Sequence, residues 1–502
     1  MPSERTPLLV DPASTPNDSV LERAPELEAV KRSIYPGPTP LPKRQLLCIS
    51  FIQLGEFISW TFFYPYINEM IMVYDISGGD PTKVGYYAGL VASASFIADC
   101  VSVFLWGRLS DYIGRRPVII IGLVALILGP IAFGFSQTLA TLVLSRLLTG
   151  AFCGNIGILK ALIADITDES NRAKAFSYTP AVMSLALVIA PLIGGNLSRP
   201  VERFPLFFGK SELLRVYPYL LPSVAVAVFP GIGIVMVLLV LRESSSERSH
   251  PKSLDSPTSS SNQGISPTGS EITLVPEVKK TPPPLTSLFT PQVRAAVFNY
   301  AAYCFLAFVI AFLLPLFMST PTQYGGLGLS PHDIGTLLGV LGIYTGAVQI
   351  VLFMPLHRRL GNNGLFRLSI ATKAVVCIFW PILGLLAKHT KSDKLSGALI
   401  ALLLLQILFL PITRMGLSCS SIFLTSAAPS GTSVGATVGL GQIFASISRF
   451  LGPAFGAALF AVSIEKNILG GNLVYVVLIG FIFVSLIGTA TLPRVVKRAN
   501  EN

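Results

Sequence analysis

Twelve stretches of this chain are apolar for roughly 20 residues or more, the length an α-helix needs to cross about 30 Å of hydrocarbon. They fall near 46–67, 83–106, 117–135, 138–164, 174–197, 218–241, 293–318, 333–356, 365–387, 397–424, 433–463 and 473–493. Inside a bilayer each backbone amide must find its partner within the chain, so runs of this length fold as helices. Only 13% of the 502 residues are charged and 52% are hydrophobic, whereas a water-soluble protein carries about 25% charged residues. The sequence therefore predicts an all-α membrane protein of twelve transmembrane helices, numbered here as spans 1 to 12.

The charges sit at the edges of these spans. The net charge of +11 is not gathered on one soluble face, which argues against nucleic acid as a partner. With a cytosolic N-terminus, Lys43, Arg44, Arg108, Arg115, Arg116, Arg242, His357, Arg358, Arg359 and Arg494 all face the cytosol, and the bias places both termini there. The six cysteines each fall singly within an apolar run and read as small buried hydrophobes. No metal-ligand spacing and no phosphate-binding loop is present, so neither a metal nor another cofactor is expected. Nor is there a zinc-protease motif or a nucleophile elbow to indicate an enzyme.

Two segments are polar. Residues 1–44 read as a disordered cytosolic tail, and residues 243–290, dominated by Ser, Pro and Thr, as a disordered cytosolic linker. Six spans precede the linker (45–242) and six follow it (291–494), leaving 495–502 as a short cytosolic tail. The halves echo each other. Span 5 carries Ala190-Pro191-Leu192-Ile193-Gly194-Gly195 and span 11 carries Gly452-Pro453-Ala454-Phe455-Gly456-Ala457. A basic turn follows span 2, and another, His357-Arg358-Arg359, follows span 8. Features recurring six spans apart mark two parallel six-helix repeats.

The turn after span 2 is the most specific signal. Gly107-Arg108-Leu109-Ser110-Asp111-Tyr112-Ile113-Gly114-Arg115-Arg116 resembles the loop between helices 2 and 3 of the major facilitator superfamily, Gly-x-x-x-Asp-Arg-x-Gly-Arg-Arg. Every fixed position matches except Tyr112, which stands where the first basic residue usually does. The resemblance covers both bundles, roughly 45–494, and is nearest to the twelve-span drug:proton antiporter branch with its fungal and plant zinc-induced-facilitator-like proteins. It implies two pseudo-symmetric six-helix bundles working by alternating access. It also implies that Asp111, with the motif's arginines, approaches the start of span 11 after Gly431-Thr432-Ser433, latching the bundles when the cytosolic side is closed. Span 5 resembles the antiporter signature Gly-x-x-x-Gly-Pro-x-x-Gly-Gly. Pro191, Gly194 and Gly195 match, and Ala186 and Ala190 replace the leading glycines.

Ionisable residues inside spans cost about 2.5–3.5 kcal/mol each on insertion scales, so each is a functional candidate. In span 1, helical spacing places Gln53, Glu56 and Trp60 on one face, suiting a cavity wall. Glu56 there reads as a proton-coupling or cation-recognising carboxylate, or as an interhelical hydrogen-bonding group. Asp99 shares a face of span 2 with Ser95 and Ser102, and structural pairing and proton transfer are equally open to it. In span 4, Arg146, Gly150, Cys153, Gly157 and Lys160 follow 4-3-4-3 spacing along one helix face. Arg146-Leu147-Leu148-Thr149-Gly150 resembles the superfamily's span-4 pattern, whose arginine faces the cavity and influences a carboxylate. Lys160, near the cytosolic edge, is expected to snorkel. In the second half, Gln442, Ser446 and Arg449 line one face of span 11, with Arg414 in span 10 and Lys373 in span 9. These could contact an anionic group, and Arg449 could equally join the two halves.

The expected function is secondary active transport of a small organic solute, drug-like or a metal chelator, in exchange for protons. A uniporter or symporter of a metabolite and a non-transporting sensor of the same fold are the alternatives. Glu4-Arg5-Thr6-Pro7-Leu8-Leu9 resembles an acidic dileucine sorting signal, which points to a sorting adaptor and to the vacuolar or lysosomal membrane, with the plasma membrane as the alternative. A monomer is expected.

Overall fold

The computed structural model describes residues 40–167, 171, 175, 178–241, 290–389, 397–429 and 434–492. The tail with Glu4, Leu8 and Leu9, the linker, and Gly431-Thr432-Ser433 lie outside them, as does the side chain of Asp111. Among the described residues, nine helices are long and apolar enough to cross a membrane. One of these, Pro331–His389, is spans 8 and 9 run together, bending at Gly361, whose φ of 68° suits a residue without Cβ. Span 1 (Lys43–Thr61) falls short of that hydropathy because it carries Lys43, Arg44, Gln53 and Glu56. Span 5 (Tyr178–Leu197) contains the shorter apolar stretch Ala181–Leu197. With these two, and with the long helix taken as two, the twelve expected spans are accounted for.

The remaining spans are Val84–Ile113 (span 2), Arg115–Gly134 (span 3), Leu220–Val240 (span 6), Pro291–Ser319 (span 7), Gly397–Ser426 (span 10), Val434–Glu465 (span 11) and Leu473–Gly488 (span 12). Span 4 consists of two helices, Leu139–Phe152 and Asn155–Asp165. Within the first half, span 2 packs on span 4, span 3 on span 6, and span 1 on spans 5 and 6. The halves meet along two helix pairs, span 2 on span 11 and span 5 on span 8. Leu239, Val484 and Ile487 remain 81%, 61% and 73% exposed, an outer surface that only lipid would cover favourably.

Small residues decide how closely the halves approach. We call the side on which span 1 begins and span 12 ends the terminal side, and the opposite one the far side. Near the far side, a Cβ on Gly89 would stand 2.4 Å from Cβ of Ala457, and one on Gly195 would stand 2.7 Å from Cα of Gly335. Asn68 hydrogen-bonds Ser319 across the same seam, and the Tyr64 and Phe312 rings meet edge-on at 5.3 Å. Eighteen residues make five helical turns, so Gly107 lies on the face of span 2 that holds Gly89, and Gly439 on the face of span 11 that holds Ala457. A Cβ at Gly107, Gly439 or Gly346 of span 8 would meet nothing within 4 Å. Among the described residues, the halves are therefore sealed on the far side and part toward the terminal side. In the far-side loop before span 2, the hydroxyl and the backbone N–H of Thr82 donate to Asp80 at 2.6 and 2.9 Å, holding its carboxyl below the usual range.

Candidate transport site

Arg146 is placed by a helix with a well-defined start. The Thr138 hydroxyl accepts from the N–H of Thr141, and the Thr141 hydroxyl accepts in return from the N–H of Thr138, a reciprocal cap. Two turns on, Arg146 is buried. Its Nη1 donates to the Ser59 carbonyl at 3.1 Å, its Nη2 to Ser95 Oγ at 2.9 Å, and its guanidinium carbon lies 4.5 Å from the centre of the Phe63 ring. These partners are neutral, and they fix the guanidinium between spans 1 and 2.

The single face expected for span 4 does not exist, because the helix breaks. Cys153 (φ −101°, ψ 80°) and Gly154 stand between its two parts. Freed carbonyls find side-chain donors on span 2, with Ser102 Oγ reaching Gly150 O at 3.0 Å and Trp106 Nε1 reaching Ala151 O at 2.7 Å. A Cβ on Gly154 would lie 2.5 Å from Cβ of Trp106, so glycine is what lets the indole pack there. Irregular backbone at membrane depth is tolerated where it is buried in protein or lines a cavity, and here it faces the carboxylate of span 1.

Glu56 is 2% exposed and accepts one hydrogen bond, from Cys153 Sγ at 3.4 Å. Its second carboxyl oxygen has no partner among the described residues. The carboxylate lies within electrostatic reach of Asp99, Lys160 and Arg449. Glu56, Trp60, Ser95, Phe96, Asp99 and Arg146 line one recess, closed by Cys153 at the break. Lys160 is half-buried and lies within electrostatic reach of Glu56 and Arg449. Asn155, at the start of the second part of span 4, is fully buried against Gly122, and neither side-chain polar atom has a partner among the described residues.

Of the expected span-1 stripe, Glu56 and Trp60 reach the recess. Gln53 is turned to span 5, where its Oε1 accepts from Thr179 Oγ1 at 3.2 Å. Arg449 crosses the seam between halves: its guanidinium lies 5.0 Å from the Trp60 ring centre, and its Nη2 donates to Ser446 Oγ at 2.6 Å. Gln442 binds the Tyr300 hydroxyl at 2.9 Å within the second half. Arg414 lies with Lys373 beside Tyr303, apart from the Glu56 recess. The span-5 motif is contact surface. Ala190 is fully buried, Gly194 packs on the Phe62 carbonyl of span 1, and the Pro191 carbonyl and Gly195 face Gly335 of span 8.

The turn after span 2 bends at Gly114, whose φ of 92° favours glycine. Arg115 pairs with Asp165 at the end of span 4, and Arg116 Nη2 donates to the Leu238 carbonyl of span 6 at 2.6 Å. Both arginines thus bind within the first half in this conformation. Whether Asp111 approaches span 11 falls outside the described residues. Sequence reasoning missed Cys153 as a partner of Glu56, because a lone cysteine in an apolar run gives no polar signal. It also missed Ser59 and Phe63, which bind Arg146 through a carbonyl and a ring face.

A chain of twelve helices in two repeats, with a charged recess in the first half that Arg449 of the second approaches, is a membrane transporter in architecture. The sequence model of the Major Facilitator Superfamily matches residues 49–453, and the chain belongs to that family of transporters, which are not enzymes. It is 29% identical to the Major facilitator superfamily multidrug transporter mfsB of Aspergillus fumigatus, over 85% of this chain and 80% of that one. It is 23% identical to the protein Zinc Induced Facilitator 1 of Arabidopsis thaliana, over 84% of each. Among solved structures, a bacterial homolog of the human lysosomal transporter Spinster, in an inward-facing and unoccupied conformation, superposes with a TM-score of 0.61 at 17% identity, covering 90% of this chain and 98% of that one.

Proposed function

We propose that this transporter moves a small organic solute, a drug-like compound or a metal chelator, in exchange for protons, with Glu56 carrying the proton. The observation that carries the reading is the Glu56 carboxyl group itself. It is buried in a span with one oxygen unpartnered, and it borders a recess where Arg449 of the opposite half is within electrostatic reach. A nearby cation favours the ionised form of a carboxylate. Rocking of the halves changes the separation of Arg449 and Glu56, so motion of the bundles is converted into uptake or release of a proton. Arg146 lines the same recess as Glu56 and Asp99, and neutral groups of its own half hold it there. Asp99, also in reach of Arg449, is the second carboxylate through which a proton can pass.

The sealed far side and the parted terminal side support alternating access about this recess. In this reading both termini are cytosolic, and the turn Gly107–Arg116 latches the halves when the cytosolic side closes. A sorting adaptor reads Glu4, Leu8 and Leu9 and sends the monomer to a vacuolar or lysosomal membrane. The test is an untargeted uptake screen in vesicles carrying the protein under an imposed pH gradient. Solute accumulation that follows the gradient, with protons moving oppositely, supports the proposal. Solute entry that moves no protons and ignores the gradient rejects it.

A further inference from the structure

Charge is divided unequally between the halves. Between residues 291 and 494 the sequence holds only three carboxylates, Asp333, Asp393 and Glu465. Asp333 lies in the first turn of span 8 and Glu465 is the last helical residue of span 11, both at the far side, while Asp393 falls between spans 9 and 10, outside the described residues. The membrane interior of the second half nevertheless carries Lys373, Arg414 and Arg449. Arg449 faces the Glu56 recess. Lys373 and Arg414 face each other's charge beside Tyr303, and no carboxylate among the described residues lies in reach of either.

Their surroundings are rich in donors and short of acceptors. Lys373 is 2% exposed, lies 4.3 Å from the centre of the Tyr303 ring, and donates to the Thr413 carbonyl at 3.2 Å. That carbonyl also accepts from the Tyr303 hydroxyl at 2.6 Å and from Ser369 Oγ at 3.1 Å. One carbonyl oxygen has two lone pairs, so three donors compete for it, and the ammonium makes no other hydrogen bond among the described residues. Arg414 is half-buried, and its guanidinium makes no hydrogen bond or ion pair with the described residues. A buried ammonium with a second cation nearby, and no acid in reach among the described residues, is costly unless something else supplies the negative charge. Arg414, Ser418, Ser421 and Thr425 follow 4-3-4 spacing on one face of span 10, and the last two are exposed toward the side where the halves part.

We propose that Lys373 and Arg414 form an anion-binding subsite, so that the transported solute carries a carboxylate, sulfate or phosphate group. This rests on the transport reading above and adds to it the chemical class of the cargo. The guanidinium presents paired N–H groups that match two oxygens of such an anion, Lys373 adds a compact point charge, and Tyr303 forms the floor. Glu56 and Asp99 line a recess of the first half that Lys373 and Arg414 do not border, so a solute held at this subsite leaves the coupling carboxylate in place.

The test uses the full chain purified into lipid nanodiscs, with carboxyfluorescein as an anionic probe and ethidium as a cationic one, read by fluorescence anisotropy. The wild type is expected to bind carboxyfluorescein, with Lys373→Gln and Arg414→Gln each weakening it at least tenfold and Arg414→Lys recovering part of the loss. If Lys373→Gln does not fold, the Arg414→Gln and Arg414→Lys pair decides. No measurable affinity for carboxyfluorescein in the wild type, or variants binding it within twofold of wild type, overturns the proposal. The vesicle uptake screen under an imposed pH gradient reads the transport proposal separately. Gradient-driven uptake of any solute while carboxyfluorescein fails to bind removes the anion subsite alone, whereas failure of both removes both.

Discussion

Gly195→Ala should open the far-side seal. The Cβ it adds would stand 2.3 Å from the Pro331 carbonyl oxygen and 2.7 Å from Cα of Gly335, where ordinary contact begins near 3.4 Å. Both obstacles are backbone atoms of span 8, so no side chain can rotate away, and the helices must separate by on the order of 1 Å. Overpacking of this kind costs about 1–3 kcal/mol. The contact exists only when the far side is closed, so the whole penalty falls on that state. A bias of that size shifts a two-state equilibrium about 5- to 150-fold toward the far-open form. Cysteine placed at Ser319, which lies in the seam against Asn68, reports the shift through its rate of labelling by a membrane-impermeant maleimide in nanodiscs. The native cysteines provide the background rate, five of the six being buried. Gly346→Ala, on the span 8 helix that Gly195 meets but with open space around the added atom, should leave the rate unchanged. If Gly195→Ala labels no faster than its parent, or if Gly346→Ala speeds labelling equally, the far-side seam is not what holds this conformation.

Three further outcomes are expected. Trp106→Phe removes the donor to the Ala151 carbonyl at the break in span 4 and should cost about 1–3 kcal/mol, seen as a lower midpoint of thermal unfolding in detergent; an unchanged midpoint would mean that the break does not depend on the indole. Arg146→Lys keeps the charge but cannot span the Ser59 carbonyl and Ser95 Oγ together, so initial transport rates should fall at least tenfold while expression and membrane insertion persist. Gln53→Leu alters a side chain turned to Thr179 rather than to the recess, so the pH response of transport should match wild type; a flattened pH profile would return Gln53 to the cavity wall.

The spans and the internal repeat were legible in the sequence because the bilayer imposes them. A run that must satisfy its own backbone over about 30 Å leaves an apolar stretch that few soluble folds show. Glu56 and Trp60 were legible for the same reason, as polar and aromatic interruptions of such a run. What escaped was set by contacts between helices distant in sequence. The 4-3-4-3 spacing from Arg146 to Lys160 assumes a continuous helix, and the break at Cys153–Gly154 depends on Ser102 and Trp106 of span 2 supplying hydrogen bonds. Gln53 is three residues from Glu56, yet the face of span 1 that meets span 5 begins between them. The small residues of span 5 suggested close packing, but that Gly195 would meet a glycine of span 8 in the other half needed the fold.

The central claim is that Glu56 couples the solute to protons. It is tested most directly by Glu56→Gln in proteoliposomes, comparing solute exchange at equal pH with accumulation driven by a pH gradient. The account predicts that the variant still exchanges solute down its own gradient but no longer accumulates it when only the pH gradient is imposed. Accumulation at the wild-type level by the variant would contradict it.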